Sequence, residues 1–112
     1  MEKQFIKNIE FSVPLQLADL VEYRDGQVIS RTLVQNEGMS MTLFAFAAGE
    51  GVSTHSAPGD AMVYILDGAA EITIAAQKTS AQKGQAVIMP ANIPHGVDAA
   101  QDFKMLLIVV KQ

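Results

Sequence analysis

The sequence predicts an all-β domain, a small barrel or sandwich of short strands, and three observations carry that prediction. Turn signals recur about every ten residues, at Arg24-Asp25-Gly26, Asn36-Glu37-Gly38, Gly49-Glu50-Gly51, Pro58-Gly59 and Asp67-Gly68. The segments between them are rich in β-branched and aromatic residues or alternate apolar with polar. No helical period outlasts a turn or two. With 112 residues the chain has single-domain length, enough to bury a core without covalent staples. Internal repeats, low-complexity tracts and linkers are absent, so residues 1–112 are expected to form one unit. Residues 1–14 would be an N-terminal arm and residues 39–110 the barrel core.

In the arm, Phe5, Ile6, Ile9, Phe11 and Val13 are apolar enough to dock, and Pro14 breaks whatever precedes it. An extended conformation is expected there, with at most one helical turn at the start. Leu15 to Tyr23 suits an edge strand or a short helix. Gln27 to Gln35 reads as a strand. Met39 to Ala47 places Met39, Met41, Leu43, Ala45 and Ala47 on one face and Phe44 and Phe46 on the other, so a strand covered on both sides is expected. Val52–Ala57, Ala61–Leu66, Ala70–Ala75, Ala86–Met89, His95–Val97 and Phe103–Val110 complete the strands. The stretch from Gly49 to Gly68 reads as a hairpin with His55 beside its turn.

Ala61 to Leu66 and Met105 to Val110 are apolar at both parities. One parity can face the interior, and the other needs a cover. A homodimer burying that surplus is expected in preference to cover by the arm alone. Tyr64, out of step with Ala61, Val63 and Ile65, would then point outward.

Composition narrows the partners. The net charge is −4 and the eight basic residues are scattered singly, which argues against nucleic acid. No apolar run approaches the roughly 18 residues of a membrane span. The N-terminal MEKQFIKNIE is too charged for a signal peptide, so a cytoplasmic location is expected. The absence of cysteine removes disulfides, thiolate metal sites and cysteine nucleophiles.

Candidate chemistry rests on the only two histidines, His55 and His95. Gly49, His55 and Gly68 fall at the spacing G-x5-H-x-H-x3-E-x6-G, and Gly84, Pro90 and His95 at G-x5-P-x-G-x2-H-x3-N. On these residues the chain resembles a small single-domain cupin, over at least Met39 to Val110. The resemblance implies a double-stranded β-barrel of the jelly-roll, RmlC-like kind, with both histidines at one barrel mouth. It also implies a divalent metal (zinc, iron, manganese or nickel) held by His55 and His95, but with an incomplete ligand set. The motif's second histidine falls on Ala57, its glutamate on Ala61, its second glycine on Asn92 and its asparagine on Ala99. Alanine offers no lone pair. Asp60 could substitute only if a bulge turned it inward. Asn92 is read as supplying a left-handed turn.

Two functional readings follow. In the first, the barrel binds a small molecule, with His55 and His95 as polar anchors and Ala57, Ala61, Val63 and Met89 as apolar lining. In the second, the protein is a metal-dependent enzyme (isomerase, lyase or oxygenase) acting on a small organic acid or sugar. The fold cannot choose between them.

Overall fold

The structure, a computed structural model, describes residues 4–112. One 3₁₀ turn, Leu17–Leu20, is followed by β1 (Val28–Gln35), β2 (Met39–Phe46), β3 (Gly51–His55), β4 (Asp60–Asp67), β5 (Ala69–Ile74), β6 (Gln77–Gln82), β7 (Ala86–Met89), β8 (His95–Asp98) and β9 (Phe103–Val110). They form two antiparallel sheets, in the orders β1-β2-β9-β4-β7 and β3-β8-β5-β6. Among the described residues no helix is long and apolar enough to cross a membrane.

Every strand expected from the sequence has its counterpart, and Leu15 to Tyr23 resolves as the 3₁₀ turn. The helical turn considered at the chain start falls partly on residues 1–3, outside the described residues. The hairpin expected over Gly49 to Gly68 does not form. β3 pairs with β8, whereas β4 pairs with β7 and β9, so the Pro58-Gly59 turn carries the chain from one sheet to the other. Gly59 makes that crossing against the end of β9, where a Cβ would lie 2.8 Å from the Val110 carbonyl oxygen.

Strand β6 (QKTSAQ) was not expected, because only Ala81 in it is buried and the rest is polar. It pairs with β5 through a two-residue loop, Ile74 facing Gln77. Both loop residues have positive φ, 49° at Ala75 and 70° at Ala76, the geometry of a type I′ turn. Alanine carries a steric cost there that Asn and Gly largely avoid. Replacing Ala75-Ala76 by Asn-Gly is therefore expected to stabilise the fold by about 1–2 kcal/mol, read as a higher melting temperature.

The main core lies between the sheets. Phe46, Val63, Ile65, Ile72 and Phe103 are fully buried there. The Phe46 and Phe103 rings stack with centroids 4.7 Å apart. A second cluster lies on the outer side of the five-stranded sheet, where Ile9, Leu17 and Leu20 pack on Leu33, Leu43 and Ala45. β2 thus buries both faces, as its sequence requires. The N-terminal segment is tied down by Lys7 N donating to Leu33 O (2.9 Å) and Lys104 Nζ donating to Ala18 O (2.6 Å). Tyr23 donates its hydroxyl to Asp67. Burial, then that hydrogen bond, then the charges of Asp67 and Asp102, push the Tyr23 phenol well above its ordinary range.

Candidate functional site

The two histidines reach one place by different local routes. On β8, His95 and Val97 are two residues apart and share the inner face, by ordinary strand alternation. On β3, Val52 and His55 also share the inner cavity, although a spacing of three should put them on opposite faces. The pairing explains this. Val52 faces Val97 and His55 faces His95, so β3 carries one extra residue between the two pairs. That bulge turns His55 inward. The sequence suggests a bulge only as the condition for Asp60 to turn inward, whereas the bulge that shapes the site lies on the preceding strand.

The imidazole rings meet edge to face, with centroids 4.6 Å apart. His95 is buried and His55 is exposed at the mouth. Each ring is oriented in the same way: Nδ1 of His55 lies 3.0 Å from the Ser53 carbonyl oxygen, and Nδ1 of His95 lies 3.0 Å from that of Ile93. A carbonyl oxygen can only accept, so both neutral rings carry their proton on Nδ1. Nε2 is left as the free nitrogen on each.

The cavity beside these rings measures about 100 Å³. Ala57, Ala61 and Met89 line it with the two histidines, as the sequence reading placed them. Val63 does not. It sits two residues further along β4, fully buried in the core. Phe44, Val52, Val97, Met105, Leu107 and Val109 also line the cavity and were not singled out from the sequence. The parity of β9 could have found three of them, because Met105, Leu107 and Val109 alternate with residues on the outer face, and Val109 pairs directly with Ala61. Among the lining residues the imidazoles are the only strongly polar side chains.

Asp60 does not turn inward. It is exposed, and its Oδ1 accepts a 2.7 Å hydrogen bond from Ala91 N, pinning the loop that precedes His95. Asn92 in that loop has φ 64°, and its backbone N–H donates to Ala57 O at 2.7 Å. The expected left-handed turn is therefore present, and it holds the segments that carry positions 57 and 95 together. Tyr64 points outward, as its parity requires.

The donor set can be tested against the metal that the resemblance implies. Among the described residues no three His, Cys, Asp or Glu side chains gather at one place. A catalytic zinc takes three protein ligands, and a facial-triad iron takes two histidines and a carboxylate. Two imidazoles fall one short of either. The residues present do not make such a centre by themselves.

The overall structure is similar to that of a conserved protein of unknown function from Streptococcus pyogenes, with 44% identity, a TM-score of 0.96, and coverage of 98% of this chain and 96% of that one. It is also similar to a cupin superfamily protein from Desulfitobacterium hafniense, with 37% identity, a TM-score of 0.91, and coverage of 96% and 98%. A cupin 2 conserved barrel domain protein from Leptotrichia buccalis shares 42% identity at a TM-score of 0.84, with coverage of 87% of this chain and 47% of that chain. No curated protein gives a significant match. The cupin domain model matches residues 42–111, a span that holds both histidines and eight of the nine strands in whole or part, and the chain belongs to the cupin family.

Proposed function

We propose that the protein binds a small, largely apolar molecule carrying one hydroxyl or carboxyl group. The apolar part occupies the barrel cavity, and the polar group meets Nε2 of His55 and His95. One observation supports this reading: among the described residues, two oriented imidazoles are the only strongly polar side chains lining an otherwise apolar cavity. Its volume of about 100 Å³ suits a single ring or a short chain, since apolar cavities of about 150 Å³ hold one benzene. Neutral Nε2 accepts from a hydroxyl or an un-ionised acid, and a protonated ring donates to a carboxylate.

A thermal-shift screen of small phenols, alcohols and monocarboxylic acids tests this reading. At least one member is expected to raise the melting temperature of the wild type. His95→Ala and His55→Ala should each weaken its binding about tenfold or more, with the far-UV spectrum retained. Failure of the whole panel, or equal affinity in both variants, would sink the proposal.

The enzymatic reading keeps one specific support. An imidazole whose Nδ1 is fixed by a carbonyl is held as metal-ligating histidines are held. Such a site would need the bound ligand to complete the shell. Elemental analysis of tag-free protein, soaked with zinc, iron, manganese and nickel in the presence of the screened ligands, decides it. No retained ion in any sample rules this reading out.

A further inference from the structure

The two histidines stand on walls of different strength. His95 is buried on β8, which is paired on both sides, with β3 and with β5. The loop before it is pinned twice, by Ala91 N donating to Asp60 Oδ1 and by Asn92 N donating to Ala57 O. His55 is exposed on β3, the edge strand of its sheet. All five residues of β3 are exposed, and none belongs to either buried core cluster. Its ladder to β8 is broken by the bulge, which sets both Ser53 and Thr54 opposite Gly96. Few buried apolar contacts and an interrupted ladder mark a segment that opens locally at low free energy.

We propose that residues 51–56 form a flap that swings away from β8 to admit a ligand to the cavity. His55 rides on the flap and closes over the ligand, while His95 stays fixed. The clamping role of His55 rests on the ligand reading above, but the opening itself does not. Three features support this division.

The first is where the chain is anchored. Gly49 N donates to Ala99 O at 2.8 Å and Ala99 N to Glu50 O at 2.9 Å, just before the segment. Just after it, Ala57 O accepts from Asn92 N, and Gly59 packs against the end of β9. Gly49, with φ 93°, and Gly51 stand at the first anchor, where a swing needs backbone freedom.

The second is that His55 keeps its orientation through the motion. Its Nδ1 is held by the Ser53 carbonyl oxygen, on the same segment. Ring and carbonyl move together, so Nε2 arrives already presented to the cavity. What opening breaks is the edge-to-face contact with His95 and the ladder to β8.

The third is that the other walls are held more firmly. β2, β4, β8 and β9 are each paired on both sides. β7 is also an edge strand, but it pairs with β4 in unbroken register and puts Met89 into the main core. Val52 and His55 are the lining residues that leave with β3. Their departure is the easiest way for a cavity of about 100 Å³ to widen toward the roughly 150 Å³ that holds a benzene.

Because the chain has no cysteine, a lock can be added as Thr54→Cys with Gly96→Cys. The Thr54 hydroxyl oxygen lies 3.3 Å from where a Cβ on Gly96 would stand, close enough for a disulfide joining β3 to β8. The probe is xenon, which enters apolar cavities. It has no polar group for an imidazole to hold, so the result is independent of whether the histidines anchor a ligand. Exchange of xenon between cavity and solvent, followed by xenon NMR, is expected to slow at least about tenfold in the oxidised double variant and to recover on reduction. Equal rates in the two redox states, or no xenon in the reduced protein, overturns the proposal. A Cβ on Gly96 would lie 3.1 Å from Val52 O, so hydrogen exchange of the wild type serves as a second measurement. Amides of residues 51–56 that bond to β8 should exchange by local opening, at rates unchanged by low denaturant and at least about 100-fold faster than those of β9. Exchange of those amides only through global unfolding, with the denaturant dependence of β9, overturns it equally.

Discussion

Gly68→Ala is expected to be among the most destabilising single methyl additions the fold can suffer, costing about 3 kcal/mol or more. Two independent terms add at this position. Gly68 has φ 72°, in the left-handed region, where a Cβ costs roughly 1–2 kcal/mol. The added methyl would also meet the backbone of Asp102 and Phe103, with the Asp102 carbonyl oxygen in the way. Neither neighbour can yield cheaply. Asp102 Oδ1 accepts from Ala48 N at 2.8 Å, and Phe103 is fully buried in its stack with Phe46. For a domain of this size such a loss lowers the melting temperature by roughly 10–20 °C. Gly26→Ala is the matched control. It has φ 69° but nothing within 4 Å of the added methyl, so it should lose only the conformational term. Equal losses in the two variants would show that packing against Asp102 and Phe103 contributes nothing.

Much of the fold was legible because the chain writes its faces plainly. β4 alternates buried and exposed residues through Ile65, so its parity alone separates Ala61, Val63 and Ile65 from Met62 and Tyr64. β2 declares its double burial through phenylalanines on one face and Leu43 and Ala45 on the other. β6 was illegible for the opposite reason. Its residues are mostly polar at both parities, and the Ala75-Ala76 turn that creates it lacks the Asn or Gly that normally announces a type I′ hairpin. The pairing of β3 was misread because adjacency in sequence favours a hairpin, and nothing in Pro58-Gly59 says whether the chain returns to its own sheet or crosses to the facing one.

The candidate site was legible as a list of positions more than as a shape. The resemblance to a cupin implied that His55 and His95 share one barrel mouth, and the structure lines one cavity with them and with Ala57, Ala61 and Met89. Counting residues could not reveal the bulge that makes His55 face inward, because a bulge is a property of two strands and the count sees only one. Nor could it show that Val63 is buried in the core and does not line the cavity. Depth along a strand depends on how the facing sheet closes over it, and here Val63 belongs to the buried core cluster that also holds Ile72 and Phe103.

Restoring a carboxylate at position 61 is expected to create metal affinity where the native chain lacks a full donor set. Ala61 and Ala57 line the same cavity as the two imidazoles. Both rings already have Nδ1 fixed by carbonyl oxygens, so Nε2 needs no reorganisation to become a ligand. Ala61→Glu therefore brings the donors to two histidines and a carboxylate, the count that a mononuclear iron or a catalytic zinc requires. Ala57→His with Ala61→Glu brings them to four. Affinity for zinc or manganese, read by competition with a chromophoric chelator, should rise about 100-fold or more over the wild type. The stability of the variant carries a second, independent signature. Position 61 is only 5% exposed, so a glutamate there without an ion pays for burying its carboxyl and should lower the melting temperature. Adding metal should return that loss, because an ion bound only by the folded state stabilises it by mass action. The wild type should show neither the loss nor the recovery. If Ala61→Glu is destabilised and metal does not rescue it, the two Nε2 atoms do not converge on the space beside position 61. The joint anchoring of one ligand by His55 and His95 would then fail with it, since it depends on the same convergence.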